Sequence, residues 1–538
     1  DAQLALAGLY QQASNYDEAR KRLARVRSAD SKNLDALLAS GKVEIDAGNP
    51  QAGLEFLNSA YSLATQFGND EAKAKVEQQI GAAYLDLNKP DEALKNFTDA
   101  LAIRKKLGLE QGVASSLNMI ARAQSRMGNS SEALANYKES LAAYQRIGDR
   151  HGTALIQMNL GSYYADHAAY EEALKSTTDA LTLYRDLGDE AHQAKCLDNL
   201  GSIRGDMGNF QDSLTYYQQA YNIREKLKLT DDMADSLHNL AETNVDLGQY
   251  DTAVTQYLKA LEIRRNSGDQ TGVAINSSSL GALFTKQGKY ASALSALEES
   301  LKDFQQTNDQ SWLMVEAKGR YGDALSQVGR WDEGQKNLED AVRLSAEVKN
   351  DTVLARALDD LGDSYFYRGD YGAARQQYEK ALQVATKSKS RELLALSHFN
   401  LAKLDVVQGR AASAIPVLKK LLEESESLGL QALSVQSSIY LAQALLANKN
   451  PGEAQQELDR AMNRAEKLGL LVEQARAHYL LGEVLSVGGK IKEYVPQYQE
   501  AVRILESISK ENGASRLLDR SDLKDVYRDA VKSYQGAA

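Results

Sequence analysis

Small and large apolar positions recur along this chain with a period of 40 residues. The segments LGSYYADHAAYEEAL, LGSIRGDMGNFQDSL and LAETNVDLGQYDTAV begin at Leu160, Leu200 and Leu240. Extending their register gives a column of small residues: Ala19, Gly53, Ala93, Ala133, Ala173, Ser213, Ala253, Ala293, Gly334, Ala374, Ala414 and Ala454, closed by Tyr494. A second column twelve residues earlier is entirely Gly or Ala, from Ala7 and Gly41 through Gly161, Gly201 and Gly281 to Gly482. Gly inside a helix costs about 1 kcal/mol relative to Ala, so its recurrence asks for a packing reason: two helix backbones approach too closely there for a larger side chain. A third column is large, including Phe97, Tyr137, Tyr217, Tyr257, Leu297, Leu338, Tyr378 and Tyr498. These are expected to fill the space between neighbouring repeats.

The polar punctuation agrees. Gly48-Asn49-Pro50, Gly128-Asn129, Gly208-Asn209, Gly248-Gln249, Gly288-Lys289 and Gly369-Asp370 each read as a left-handed helix stop followed by a cap for the next helix. A second turn per repeat recurs at Gly68, Gly108, Gly148, Gly188, Gly268, Asn308, Gly429 and Gly469. Each unit is thus two antiparallel helices and two tight turns. The expectation is an all-α protein of about thirteen helical hairpins over residues 1–510, 26 helices in all. Residues 511–538 are expected to add a capping helix, because Leu523, Val526, Tyr527, Ala530, Val531 and Tyr534 follow helical three-and-four spacing.

These motifs resemble the tetratricopeptide repeat family: a Leu-Gly pair, a Tyr three residues on, a small residue after the turn, then an aromatic and Ala. Gly161, Tyr164, Ala173 and Ala180 carry the pattern, as do Gly362, Tyr365, Ala374, Tyr378 and Ala381. The period of 40 and the missing terminal proline resemble the long-repeat subgroup of kinesin light chains, spindle-orientation adaptors and bacterial regulators with sensory repeat arrays. The resemblance implies a right-handed α-α superhelix, a TPR solenoid with first helices on the concave face and stability summed over neighbouring repeats.

Composition narrows the function classes. With 63 Lys+Arg against 74 Asp+Glu the formal charge is -11, which disfavours nucleic acid or an anionic membrane as the main partner. Charged residues are 25% and hydrophobic residues 43%, so a disordered chain is not expected. No apolar stretch approaches 18 residues, so no transmembrane helix is expected. The chain begins at Asp1 rather than Met, which fits a processed product or an excised fragment. A removed signal peptide or a missing neighbouring domain would fit too, and the compartment stays open.

Catalytic chemistry finds no foothold in the residue spacing. Cys196 is the single cysteine, in a column that otherwise holds Ser or Ala, and reads as a packing residue. The six histidines show no metal-ligand spacing and read as surface or groove polar residues. Gly488-Gly489-Lys490 lacks the Ser/Thr of a phosphate loop and reads as a helix-to-helix turn. No cofactor, metal site or enzymatic activity is expected.

The inward column is more informative. Just before the Leu-Gly pair it holds Asn159, Asn199, Asn239 and Asn400, with Asn118 one residue out of register. An amide both donates and accepts, so such a ladder can hold the backbone of an extended peptide; the resemblance implies the same use, while bracing of adjacent helices is the plainer alternative. Ser279, Arg320 and Asp360 interrupt the ladder, so its two halves are suited to different ligands. Arg122, Asp198 and His238 are further inward candidates. The Lys and Asn pairing with which some family members clamp a C-terminal carboxylate has no match. An acidic stripe at Asp46, Asp86, Asp166, Asp206 and Asp246 favours a basic ligand segment. The leading expectation is therefore a non-enzymatic scaffold binding a protein or peptide segment, extended or helical, in its groove. Its rivals are a self-assembling filament built from solenoid contacts and the sensory or regulatory region of a larger protein.

Overall fold

The computed structural model describes residues 2–12, 15–307, 309–388, 390–487 and 491–537. Asn308 and the Gly488-Gly489-Lys490 turn lie outside the described residues, as does the side chain of Tyr534. Among the described residues there are 27 α-helices, from α1 (Ala2–Gln12) to α27 (Ser521–Ala537), and no strand. The first 26 pair as consecutive antiparallel hairpins, thirteen in all. No described helix is long and apolar enough to cross a membrane.

The turns explain the period. Gly48, Gly128, Gly248, Gly288 and Gly369 end first helices at φ between +72° and +88°. Asn88, Ala168 and Lys449 take the same left-handed conformation at equivalent positions, and Ala168 bears that strain without a polar side chain to relieve it. Asn33, Asn69, Asp149, Asp269 and Asn350 accept a hydrogen bond from the third amide of the helix that follows, so many of the entries into first helices are side-chain capped.

The close approach of helices lies inside each hairpin. A Cβ on Gly281 would stand 2.6 Å from Leu297 Cγ, one on Gly322 2.7 Å from Leu338 Cγ, and one on Gly482 2.6 Å from a ring carbon of Tyr498. The large column therefore fills the hole left by glycine in its own repeat and also, as its spacing suggested, packs on the next repeat, where Tyr137 meets Tyr163 edge-on and Phe97 joins Ile120. Residues seven positions further on share that space. Arg104, Tyr144 and Arg264 lie over Gly112, Gly152 and Gly272 of the following helix. The buried Arg264 guanidinium donates to Gly272 O at 2.7 Å, Asn276 Oδ1 at 2.8 Å and Asp235 Oδ1 at 2.6 Å. A charge is tolerated there because both terminal nitrogens find acceptors and Asp269 Oδ2 stands 3.7 Å from Nε.

The chain divides into two compact units, Asp1–Ile203 and Arg204–Ala538. In the first, the core is a series of small clusters between neighbouring helices, such as Leu37, Leu57, Val76 and Ile80, then Leu85, Phe97 and Ile120. In the second, clusters join repeats far apart in sequence. Tyr250 and Leu261 share a core with Phe399, Leu441 and Leu468, and Tyr290 and Leu294 share one with Val472, Ile508 and Leu523. Bonds span the same distance. Gln287 Nε2 donates to Leu468 O, 181 residues away, and the Ala291 amide donates to Glu511 Oε2, 220 away. Ser521 Oγ donates to Phe366 O across 155 residues. The second unit thus curls until its later repeats pack on its earlier ones. Near its end, Ala530, Tyr527 and Val531 of α27 pack on Tyr498 and Val502 of α26 (Ile491–Ser509).

Candidate functional site

The curl of the second unit encloses a cleft of about 480 Å3, within the size range of small-ligand pockets. Its walls are the first helices of successive repeats: α13 (Thr230–Asp246), α15 (Gln270–Gln287), α17 (Trp312–Gln327), α19 (Asp351–Arg368) and the start of α21 (Arg391–Val407). Leu430 to Leu433, at the start of α23 (Gln431–Ala447), also line it. Because each first helix presents equivalent positions inward, the residues that break the Asn ladder, Ser279, Arg320 and Asp360, all face this space. Asp246, the last member of the acidic stripe, joins them.

Six carboxylates line the cleft, Glu242, Asp246, Glu316, Asp323, Asp360 and Glu392, against the three bases Lys286, Arg320 and Arg356. Part of this charge is paired. Arg320 Nη2 lies 3.1 Å from Glu316 Oε1, Arg356 Nη2 lies 3.1 Å from Glu392 Oε1, and Arg320 Nη1 donates to Ser278 Oγ at 3.0 Å. Each arginine sits among several acids, and acidic neighbours, Glu392 first, raise the Arg356 pKa above its ordinary value against the effect of burial. The carboxylates diverge. Burial pushes Asp246 up to about 7 and Asp323 up to about 6, the latter helped by Asp363. Asp360 moves the same way through burial and the neighbouring Asp323 and Asp363. Glu242 goes down, to about 2: burial opposes ionisation, but His238, Arg320 and the Ser279 and Tyr257 hydroxyls outweigh it. Burial also lowers the His238 pKa and holds its ring neutral near pH 7, so there Arg320 and the two hydroxyls keep Glu242 ionised.

Beyond Asp323 a smaller pocket of about 140 Å3 continues into a bonded polar core. Lys403 Nζ lies 2.6 Å from Asp363 Oδ1 and donates to Asn400 Oδ1 at 2.9 Å. Asn400 Nδ2 and Ser397 Oγ donate to the two oxygens of Asp359. Burial pushes the Asp359 carboxyl up to about 7. Arg520 stacks 3.9 Å above the centre of the Tyr367 ring and pairs with Asp522, which also meets Arg476.

The predicted ligand residues thus meet different fates. Asn400 is buried and spends its amide within this core. Asn118 is buried and accepts from Asn159 Nδ2 at 2.9 Å, while Asn199 Nδ2 donates to Ser162 Oγ at 3.2 Å. Asn159, Asn199 and Asn239 remain half-buried, as does Asp198, and Arg122 is exposed. His238 Nδ1 meets Asn276 Oδ1 at 2.8 Å, beside the cleft. Residue spacing missed Glu316, Arg356 and Glu392, although each stands a helical turn from an inward position.

Comparison with known proteins places this architecture. Two models described as tetratricopeptide repeat match the chain, one at residues 33–106, 112–186, 153–226, 232–306 and 313–387, the other at 360–428 and 399–465. No curated protein matches. Among solved structures, BtubC (BKLC) from P. vanneervenii is 20% identical with a TM-score of 0.34, over 42% of this chain and 91% of that one. A Rap protein complexed with Competence and Sporulation Factor is 12% identical with a TM-score of 0.46, over 71% and 99%. Aspartyl phosphate phosphatase F from Bacillus subtilis is 15% identical with a TM-score of 0.47, over 66% and 94%. With the repeat models matching well over half of its residues, the chain belongs to the tetratricopeptide repeat family, whose arrays typically act as protein-interaction scaffolds.

Proposed function

We propose that the protein is a non-enzymatic interaction scaffold and that the cleft of residues 204–538 takes a basic segment, extended or helical, of a partner protein. The observation that carries this reading is the excess of carboxylates over bases lining that cleft. A cleft with an excess of one sign of charge focuses its field and favours ligands of the other, and a Lys or Arg side chain can exchange with an internal ion pair. The half-buried amides of Asn159 and Asn199 in the first unit are the rival site, able to hold peptide backbone outside the cleft. The test is fluorescence anisotropy with labelled Arg- and Lys-rich peptides, matched against Glu-rich ones of equal length. Basic peptides should bind, more weakly as salt rises. Replacing Glu242 and Glu392 by Gln should weaken them roughly tenfold, a loss of about 1.4 kcal/mol. Equal binding of acidic and basic peptides would sink the assignment.

Self-association is a second reading, with its own observation. In the first unit Phe67, Leu107 and Leu187 occupy one register column at the ends of second helices and are exposed, Phe67 by 58%. In the second unit the same column holds Leu468, which is buried against the Gly248 turn. A second copy could cover the exposed positions in the way the chain covers Leu468 itself. Light scattering coupled to size-exclusion chromatography decides this: growth of mass with concentration supports it, and a constant monomer mass removes it.

A further inference from the structure

His151 and His192 are 41 residues apart in sequence, and the stacking of repeats brings them together. His151 is the second residue of α9 (Arg150–Asp166), and His192 lies in the first turn of α11 (Glu190–Asp206). Asp189, which precedes α11, stands between them. Its Oδ2 lies 2.8 Å from His192 Nδ1 and 3.4 Å from His151 Nε2, and one donor atom from each of the three residues lies within 4.8 Å of the others. The other carboxylate oxygen accepts from the His192 amide at 3.1 Å, so the helix cap occupies Oδ1 and leaves Oδ2 facing the two rings.

The rings are held in place. The fully buried Tyr184 stacks on His192 at 4.8 Å with an interplanar angle of 18° and meets His151 edge-on at 5.5 Å. The two imidazoles cross at 5.3 Å. The group is open to solvent, with side-chain exposures of 53% for His151, 25% for Asp189 and 29% for His192. It also belongs to this interface alone among its neighbours: the equivalent pairs at the flanking interfaces are Gln111 with Gly152, and Ala191 with Asp232.

Two imidazole nitrogens and one carboxylate oxygen form a ligand set suited to Zn2+ and neighbouring first-row divalent ions. Tetrahedral ligands at about 2.0–2.1 Å from such an ion stand about 3.3 Å apart. The observed separations from Asp189 Oδ2, 2.8 and 3.4 Å, bracket that value. We propose that His151, Asp189 and His192 form a binding site for one divalent transition-metal ion, with Zn2+ the natural occupant. The ion joins the starts of α9 and α11 and keeps a fourth position open to water or to a donor from a partner protein.

The test is isothermal titration of tag-free, chelator-treated protein with Zn2+, and with Co2+ as a visible-absorption reporter of ligand geometry. A single ion per chain and an intense tetrahedral Co2+ band are expected. His151→Ala and His192→Ala should each weaken binding roughly tenfold or more, and Asp189→Asn, which can still cap α11, should weaken it as well. Circular dichroism of each variant should match the parent, so a loss of binding reports the ligand and not the fold. Absence of Zn2+ binding by the parent protein, or unchanged binding in the His151→Ala/His192→Ala double variant, overturns the proposal.

Discussion

The same repeat is used openly in residues 1–203 and closed upon itself in residues 204–538. In the first unit nothing approaches the turn glycines: a Cβ on Gly48, Gly68, Gly128 or Gly148 would meet no atom within 4 Å. In the second, Leu468 and Gln431 cover Gly248, Leu471 covers Gly288, the Arg516 backbone crosses Gly329 and Ser521 reaches Gly369. The inward residues differ in parallel. The open unit carries neutral amides, some bonded to one another, whereas the closed unit carries carboxylates, arginines and a lysine. Contact between neighbouring repeats suffices to build a solenoid, but an enclosed, desolvated site needs contact between repeats 150 to 220 residues apart. Desolvation then makes the charges inside worth more than they would be on an open groove.

The comparison breaks most readily at the seam. Leu468→Ala should cost about 2–5 kcal/mol, as a buried Leu-to-Ala change does. Leu187→Ala, at the same column of the open unit and 40% exposed, should change stability by less than about 0.5 kcal/mol. Urea denaturation of both variants checks this, and equal effects would mean that the seam does not hold the second unit together. Next in size, Gly281→Leu should overpack Leu297 and cost about 1–3 kcal/mol. An unchanged melting midpoint would contradict the packing of Leu297 into the Gly281 hole.

A pH series sharpens the electrostatic half of the comparison. Asp246, Asp323 and Asp359 titrate in the folded chain near 7, 6 and 7, above an ordinary Asp value of 3.8. Between about 4 and 7 the folded state therefore holds more protons than the unfolded one, and stability falls as pH rises through that window. Asp359→Asn, which can still accept from Asn400 while its amide donates to the Ser397 hydroxyl, should flatten part of that slope, as thermal melts at stepped pH will show. Basic ligands should bind more tightly over the same rise, because the cleft gains negative charge. The smallest effect concerns a single turn: Ala168→Gly should raise stability by about 0.5–1 kcal/mol by relieving its positive φ, measured as a shift in urea midpoint.

The repeat columns made the helices, turns and hairpin pairing legible before any coordinates, because glycine and alanine at fixed spacing report close backbone approach directly. The charged fillers between repeats were not legible. Nothing in the columns singles out Arg104 and Arg264, whose burial rests on acceptors from both flanking first helices, Gln78, Gly112 and Ser116 for one and Asp235, Gly272 and Asn276 for the other. Within the site, the break in the Asn ladder at Ser279, Arg320 and Asp360 did mark where the inner surface changes character. The closure that turns those residues into a cleft left no local trace, since Gly329, Arg516 and Ser521 obey no pattern linking them. The pairing of His151 with His192 was invisible for the same reason: their spacing is one repeat plus one residue, which has meaning only once the repeats stack.

In the proposed function the carboxylate-lined cleft, and not the Asn row of residues 118–199, receives the partner. Hydrogen–deuterium exchange of the intact chain, with and without a saturating basic peptide, tests it most directly. The account predicts added protection along the inner ends of α13, α15, α17 and α19. Protection confined to α7 (Glu110–Arg126), α9 and α11 would contradict it and move the binding site to the amide ladder.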